Sequence, residues 1–151
     1  MAASRRWRLA GRWGALVTQG RLVDVPARGT LAAASVSHAV VAEAKTAYLA
    51  GHNTWGQLGQ GRTSVWGTAR IALPDRIVSA AAGLGFTCLA TSDALYVSGT
   101  NVRGQMGLDQ ERGSLSFQRL ALPAVRSVCA GLDHMLVLAG AQVWACGLHT
   151  D

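Results

Sequence analysis

Four histidines, three cysteines and two Gly-Gln-x-Gly turns are the residues of this 151-residue sequence whose types and spacing could carry chemistry. A phosphate cradle needs G-x-x-x-x-G-K-[ST] between a strand and a helix. Gly56-Gln57-Leu58-Gly59 and Gly104-Gln105-Met106-Gly107 offer neither the lysine nor a following helical pattern. Their glycines read as turn residues that take positive φ, with Gln57 and Gln105 free to bond the loop backbone. His38 and His134 open apolar runs, and Phe86 occupies the same place in an intervening segment. That place therefore does not require an imidazole, and its expected role is to bridge adjacent strands rather than to bind metal or act as a base. His52 has no ligand company, and Cys146, His149 and Asp151 match no standard ligand spacing. Cys88, Cys129 and Cys146 are odd in number and form no C-x-x-C pair, so they read as packing residues in a reducing compartment. Asp93, Asp109, Glu111 and Asp133 fall in expected turns, and no Ser/His/Asp set or paired carboxylate emerges. The sequence assigns no catalytic, cofactor-binding or metal-binding residue, and the reading is of a protein that is not an enzyme.

Charge is unevenly spread. The net charge of +6 is concentrated at the N-terminus, where Arg5, Arg6, Arg8, Arg12, Arg21 and Arg28 face the single acid Asp24, while the rest of the chain sets eight basic residues against seven acids. A phosphate-binding surface needs contiguous positive charge. Arg62, Arg70, Arg76, Arg103, Arg112, Arg119 and Arg126 are scattered among acids, so no specific nucleic-acid partner is expected. Residues 1–20 carry Arg without Lys or acid. On a helical wheel Arg5, Arg8 and Arg12 share one side opposite Ala3, Trp7, Ala10, Gly14 and Val17, with Arg6 as the exception. That is the basic amphipathic pattern of an organelle transit peptide. The most apolar stretch, Met135 to Cys146, is too short to span a bilayer.

The elements that must position these residues come from a repeat. The segments 47–61, 95–109 and 143–151 superimpose at an offset of 48, bringing Gly51, Gly99 and Gly147 into register, and with them Tyr48, Tyr96 and Trp144. His38, Phe86 and His134 correspond at the same offset, and Pro26, Pro74 and Pro123 punctuate the chain at nearly the same interval. Each unit reads as short apolar runs parted by turn residues: Arg76–Gly83, Phe86–Ala90 and Leu95–Gly99 in one, Val125–Gly131, Met135–Ala139 and Val143–Gly147 in the next. A further strand is expected before each proline, over Ala69–Leu73 and Gln118–Leu122. Four short antiparallel strands per unit of 40–50 residues is the arithmetic of a propeller blade.

The order Gly-x-x-His, apolar run, aromatic residue, Gly, then Asn-x-x-Gly-Gln-Leu-Gly resembles the repeat of the regulator-of-chromosome-condensation family. Asn53, Gly56, Gln57, Leu58 and Gly59 carry it in the first unit and Asn101, Gly104, Gln105, Met106 and Gly107 in the second. Phe86, Ser35 and His149 depart from it, standing where the pattern has His, Gly and Asn. The resemblance implies an all-β fold, an open arc of about two and a half four-stranded blades from a seven-bladed ring. The units are 21–74, 75–123 and a truncated 124–151, preceded by the basic segment 1–20. It further implies a non-catalytic module for protein–protein interaction, most like the mitochondrial member of the family, with a role in mitochondrial ribosome assembly or in engaging a small GTPase. The alternatives are a guanine-nucleotide exchange factor of nuclear type, and a truncated isoform or fragment without independent function. Trp55, Trp66 and Arg103 are the expected partner-binding residues, projecting from inter-strand loops. Asp151 corresponds to Arg103 and Trp55, so the sequence stops one place before the next turn motif. A fragment or short isoform with exposed apolar flanks is expected from that position.

Overall fold

A computed structural model describes residues 31–148 fully and, before them, the backbone of four short strands. These are β1 (Trp7–Leu9), β2 (Arg12–Trp13), β3 (Leu16–Val17) and β4 (Val23–Val25), with β1 paired to β4 and β2 to β3. The helical wheel drawn for residues 1–20 is not what those strands adopt. The rest of that segment, with Pro26, His149 and Asp151, lies outside the described residues.

The body is built from three antiparallel sheets. The first contains β5 (Leu31–Ala34), β6 (His38–Glu43), β7 (Thr46–Asn53) and β8 (Ser64–Ala72), in that order. The second contains β9 (Ser79–Ala82), β10 (Phe86–Ala90), β11 (Ala94–Gly99) and β12 (Ser114–Ala121). The third contains β13 (Val125–Ala130), β14 (His134–Ala139) and β15 (Gln142–Gly147). Each is an up-and-down meander, and Pro74 and Pro123 lie between consecutive sheets, where a residue without an N–H costs no ladder bond. Among the described residues there is no helix, and the sheets do not close a barrel. The architecture is a partial β-propeller.

The repeated glycine has a geometric cause. His38 pairs with Gly51, Phe86 with Gly99 and His134 with Gly147, and the three glycines have φ of 133°, 118° and 125°. A Cβ on Gly51 would lie 2.6 Å from both His38 Cα and Ser37 O, and Cβ atoms on Gly99 and Gly147 would meet the equivalent backbone. No other residue fits this crossing.

The outer strands are longer than the sequence suggested, beginning at Ser64 and Ser114 rather than at Ala69 and Gln118. A bulge between Gly51 and Asn53 lets the first sheet's ladder continue past the repeated glycine, and one between Val97 and Gly99 lets the second sheet's ladder reach it. The inner strand β9 is shorter than Arg76–Gly83, because Ile77 N donates to Ala44 O in the preceding sheet's hairpin before the ladder starts.

Two apolar clusters fill the spaces between sheets. Val40, Ala42, Ala47, Leu49 and Leu58 of the first unit meet Leu89, Ala94 and Tyr96 of the second. Phe86, Cys88, Ala90, Leu95, Val97 and Met106 of the second meet Val125, Val128, Met135 and Val137 of the third. Burying each large side chain is worth about 1.5–3 kcal/mol, so the sheets hold one another as much as their ladders hold them. The flanks are not alike. On the side of the first sheet away from the second, Ala39, Val41 and Ala50 are buried, whereas the far side of the third sheet is open.

Candidate interaction site at the loop end of the arc

Because the sheets are meanders, the turns after β5, β9 and β13 and the loops after β7 and β11 emerge at one end. Asn53 and Asn101 build those loops from inside. Asn53 Oδ1 accepts from Leu58 N at 3.0 Å and its Nδ2 donates to Arg62 O at 2.9 Å, while Asn101 Oδ1 accepts from Met106 N at 2.8 Å. Gln57 Oε1 accepts from Trp55 N, and Gln105 Oε1 from Arg103 N. Leu58 and Met106 plug the loops into the core with no exposed surface. Gly56, Gly59, Gly104 and Gly107 take φ between 69° and 79°, as turns of this kind require. The motif is a wrapped turn that fixes whatever its tip displays.

The first loop is latched to the second sheet. Thr87 Oγ1 donates to Gln57 O at 2.7 Å and Ser98 Oγ to Gly56 O at 2.7 Å. Since the threonine proton is committed there, Thr87 accepts from His38 Nε2 at 2.6 Å, which leaves His38 Nδ1 to accept from Ser37 Oγ at 2.8 Å. Burial, with a smaller contribution from His52, lowers the His38 pKa to about 4. The imidazole is thus a neutral linker between hydroxyls of two sheets, not a proton shuttle near neutral pH.

Other chemistry-bearing residues are similarly occupied. Burial raises the Cys88 and Cys146 thiol pKa values, which disfavours the thiolate a nucleophile needs. Cys129 is exposed, unlike its repeat equivalent Ala81, because no sheet follows it among the described residues. No three His, Cys, Asp or Glu side chains converge as a metal site among the described residues. No described helix is long and apolar enough to cross a membrane.

Trp55 and Arg103 occupy equivalent loop positions and both are exposed, but Trp55 is not free-standing. It leans over the second sheet's first turn, where a Cβ on Gly85 would come within 2.5 Å of its Cε3. Trp66 lies on the outer strand β8 rather than on a loop, because that strand starts at Ser64. Sequence reasoning missed a second set of residues at this end. Val36, Leu84 and Leu132 sit in the three first turns at the 48-residue spacing, and Leu84 N donates to Leu132 O at 2.9 Å. Val36 and Leu132 are more than half exposed, as is Val102 in the second loop. The spacing that revealed the glycines would also have revealed this row. The end as a whole displays Val36, Trp55, Val102, Arg103 and Leu132 on a rigid base.

A meander arc with its loops gathered at one end belongs to the β-propeller class. The fold is similar to that in the crystal structure of human WBSCR16, with a TM-score of 0.69 and 21% identity over 84% of this chain and 37% of that one. It is also similar to a chain in the crystal structure of Kap60 bound to yeast RCC1 (Prp20), with a TM-score of 0.65 and 22% identity over 83% of this chain and 34% of that one. The chain thus spans about a third of the length of these structural neighbours. No protein-family model matches the sequence, and no curated protein does.

Proposed function

We propose that this chain is a protein-interaction module of the regulator-of-chromosome-condensation repeat kind, and that it engages its partner through the loop end. The observation that carries the reading is the group of exposed apolar residues at that end, Trp55 and Val102 on loops held by buried Asn and Gln side chains and Val36 and Leu132 on the neighbouring first turns. Large exposed apolar side chains on a rigid base are the composition of binding hot spots. A photo-crosslinking residue placed at Val102 or Leu132 should trap an adduct of defined mass in cells, while the same residue at Lys45, on the opposite end, should not. Equal adducts from both ends would remove the loop end from consideration.

The Lys-free arginine leader supports a mitochondrial setting, with ribosome assembly or a GTPase as the context of the partner. A reporter fused to residues 1–20 should enter mitochondria, and R5E, R8E and R12E together should abolish entry. Nuclear exchange activity is the second reading, supported by the likeness to the structure containing yeast RCC1. It requires that the chain accelerate nucleotide release from a Ras-like GTPase in vitro.

A further inference from the structure

The loops after β7 and β11 share one internal build but have different seats. Residues 54–63 are tied to the second sheet along their whole length. Thr87 and Ser98 donate to the carbonyls of Gln57 and Gly56, Gly61 N donates to Leu115 O at 2.8 Å, and Gln60 pairs with Ser116. Leu115 and Phe117 close over Gly56 and Gly59, leaving no room for a Cβ on either glycine. Residues 100–113 have no comparable seat. The side-chain hydrogen bonds that build this loop stay within it: Asn101 Oδ1 accepts from Met106 N, Asn101 Nδ2 donates to the carbonyls of Leu108 and Gln110, and Gln105 Oε1 accepts from Arg103 N. Among the described residues none of its hydrogen bonds reaches the third sheet, and nothing lies within 4 Å of a Cβ built on Gly104.

One cause is that the third sheet has no fourth strand among the described residues. The other is written in the sequence. At the 48-residue offset Met135 stands for Thr87 and Cys146 for Ser98, so both latching hydroxyls are replaced. Met135, which shares an apolar cluster with Phe86, the residue in place of His38, has no proton to donate. Cys146 Sγ faces the loop, 3.0 Å from where a Cβ on Gly107 would sit, but a thiol is a weak donor and makes no hydrogen bond to the loop there. The loop's remaining hold on the third sheet is Met106, an unbranched and adaptable plug seated in the cluster between the second and third sheets.

We propose that the loop end pairs one fixed element with one movable one. Residues 54–63 are locked to the neighbouring sheet, whereas residues 100–113 swing as a unit on the neck where Gly99 pairs with Ser114, lifting Met106 from its seat. Trp55 belongs to the fixed loop and Val102 and Arg103 to the moving one, so a bound partner sets the distance between them. That use of the motion rests on the reading of the loop end as a partner surface, but the motion itself belongs to the free chain and is measured there. Each replaced hydroxyl contact is worth about two- to tenfold in an opening equilibrium, which puts this loop at the low-stability end of the molecule.

The test is methionine oxidation by hydrogen peroxide at limited conversion, mapped by mass spectrometry, on the full chain carrying L58M. That change conserves volume and puts a thioether at the place of Met106 in the fixed loop. Met106 should be oxidised at least about tenfold faster than the methionine at position 58, and faster by a similar factor than Met135, which is equally buried in the same cluster. C146S restores one hydroxyl and should slow Met106 about threefold, while S98C, which removes one from the first loop, should speed oxidation at position 58 by a similar factor. Equal rates at positions 58 and 106 overturn the proposal, as do rates left unchanged by C146S or S98C. Joint oxidation of Met106 and Met135 overturns it too, since that is the parting of two sheets and not the swing of a loop.

Discussion

Phe86 and His134 occupy the same repeat position, yet one is wholly buried and the other exposed. The same contrast runs through their sheets. Every residue of β10 and β11 is buried, whereas β14 alternates between exposed and buried residues and β15 is almost entirely exposed. The local backbone does not differ, since both positions pair with a glycine of similar φ and both rings fold over a glycine three residues earlier, Gly83 or Gly131. What differs is the neighbour. In this arc a side chain's energetic weight is set by the sheet beside it, as expected where stability is a sum of nearest-neighbour interfaces.

Substitutions at equivalent places should expose that rule. The largest effect belongs to Phe86→Ala, which empties a filled inter-sheet position and should cost about 3–5 kcal/mol in denaturant unfolding. His134→Ala, the same change one repeat later, should cost under about 0.5 kcal/mol. Comparable losses at both sites would break the comparison. Next in size is Gly99→Ala, whose Cβ would run into Gly85 O at a φ of 118°, with an expected cost of about 3 kcal/mol. Gly104→Ala also has positive φ, but nothing lies within 4 Å of its Cβ, so backbone strain alone should cost about 1–2 kcal/mol.

His38 sharpens the comparison through pH. Its folded pKa of about 4 lies below the ordinary value of 6.5, so the unfolded chain takes up the proton first as pH falls. Its contribution to stability is complete above about pH 6.5, declines as pH falls through that value, and is gone below about pH 4. The decline is on the order of 3 kcal/mol. The double variant H38F/T87M copies the Phe86–Met135 pair and should remove that part of the pH dependence. An unchanged pH profile would show that another group carries it.

The sequence displays the framework because the framework repeats. Gly51, Gly99 and Gly147 were legible since a backbone crossing tolerates one residue type, and Asn53, Gln57, Asn101 and Gln105 since a wrapped loop needs side-chain amides at fixed offsets. The outer strands were partly hidden. Their alternation is between exposed and half-buried residues, as in β8 and β12, so their first residues carry little apolar signal. Trp66 reads as a loop residue for that reason, although it lies on β8. The asymmetry of the flanks was not legible at all, because buried Val41 and exposed Leu136 read as the same apolar strand positions whatever lies beside them. Val36, Leu84 and Leu132 were available at the 48-residue offset, but their variable surface position offers none of the geometric necessity that makes a glycine stand out.

Thiol labelling tests the central claim most directly, because Cys88 and Cys129 lie on corresponding faces of consecutive sheets. Alkylation of the native chain, mapped by mass spectrometry, should modify exposed Cys129 first and half-buried Cys146 more slowly. Buried Cys88 should react only at the rate of unfolding, as its covered position under the third sheet demands. Equal reactivity of Cys88 and Cys129 in the folded chain, or protection of Cys129 to the level of Cys88, would contradict the account.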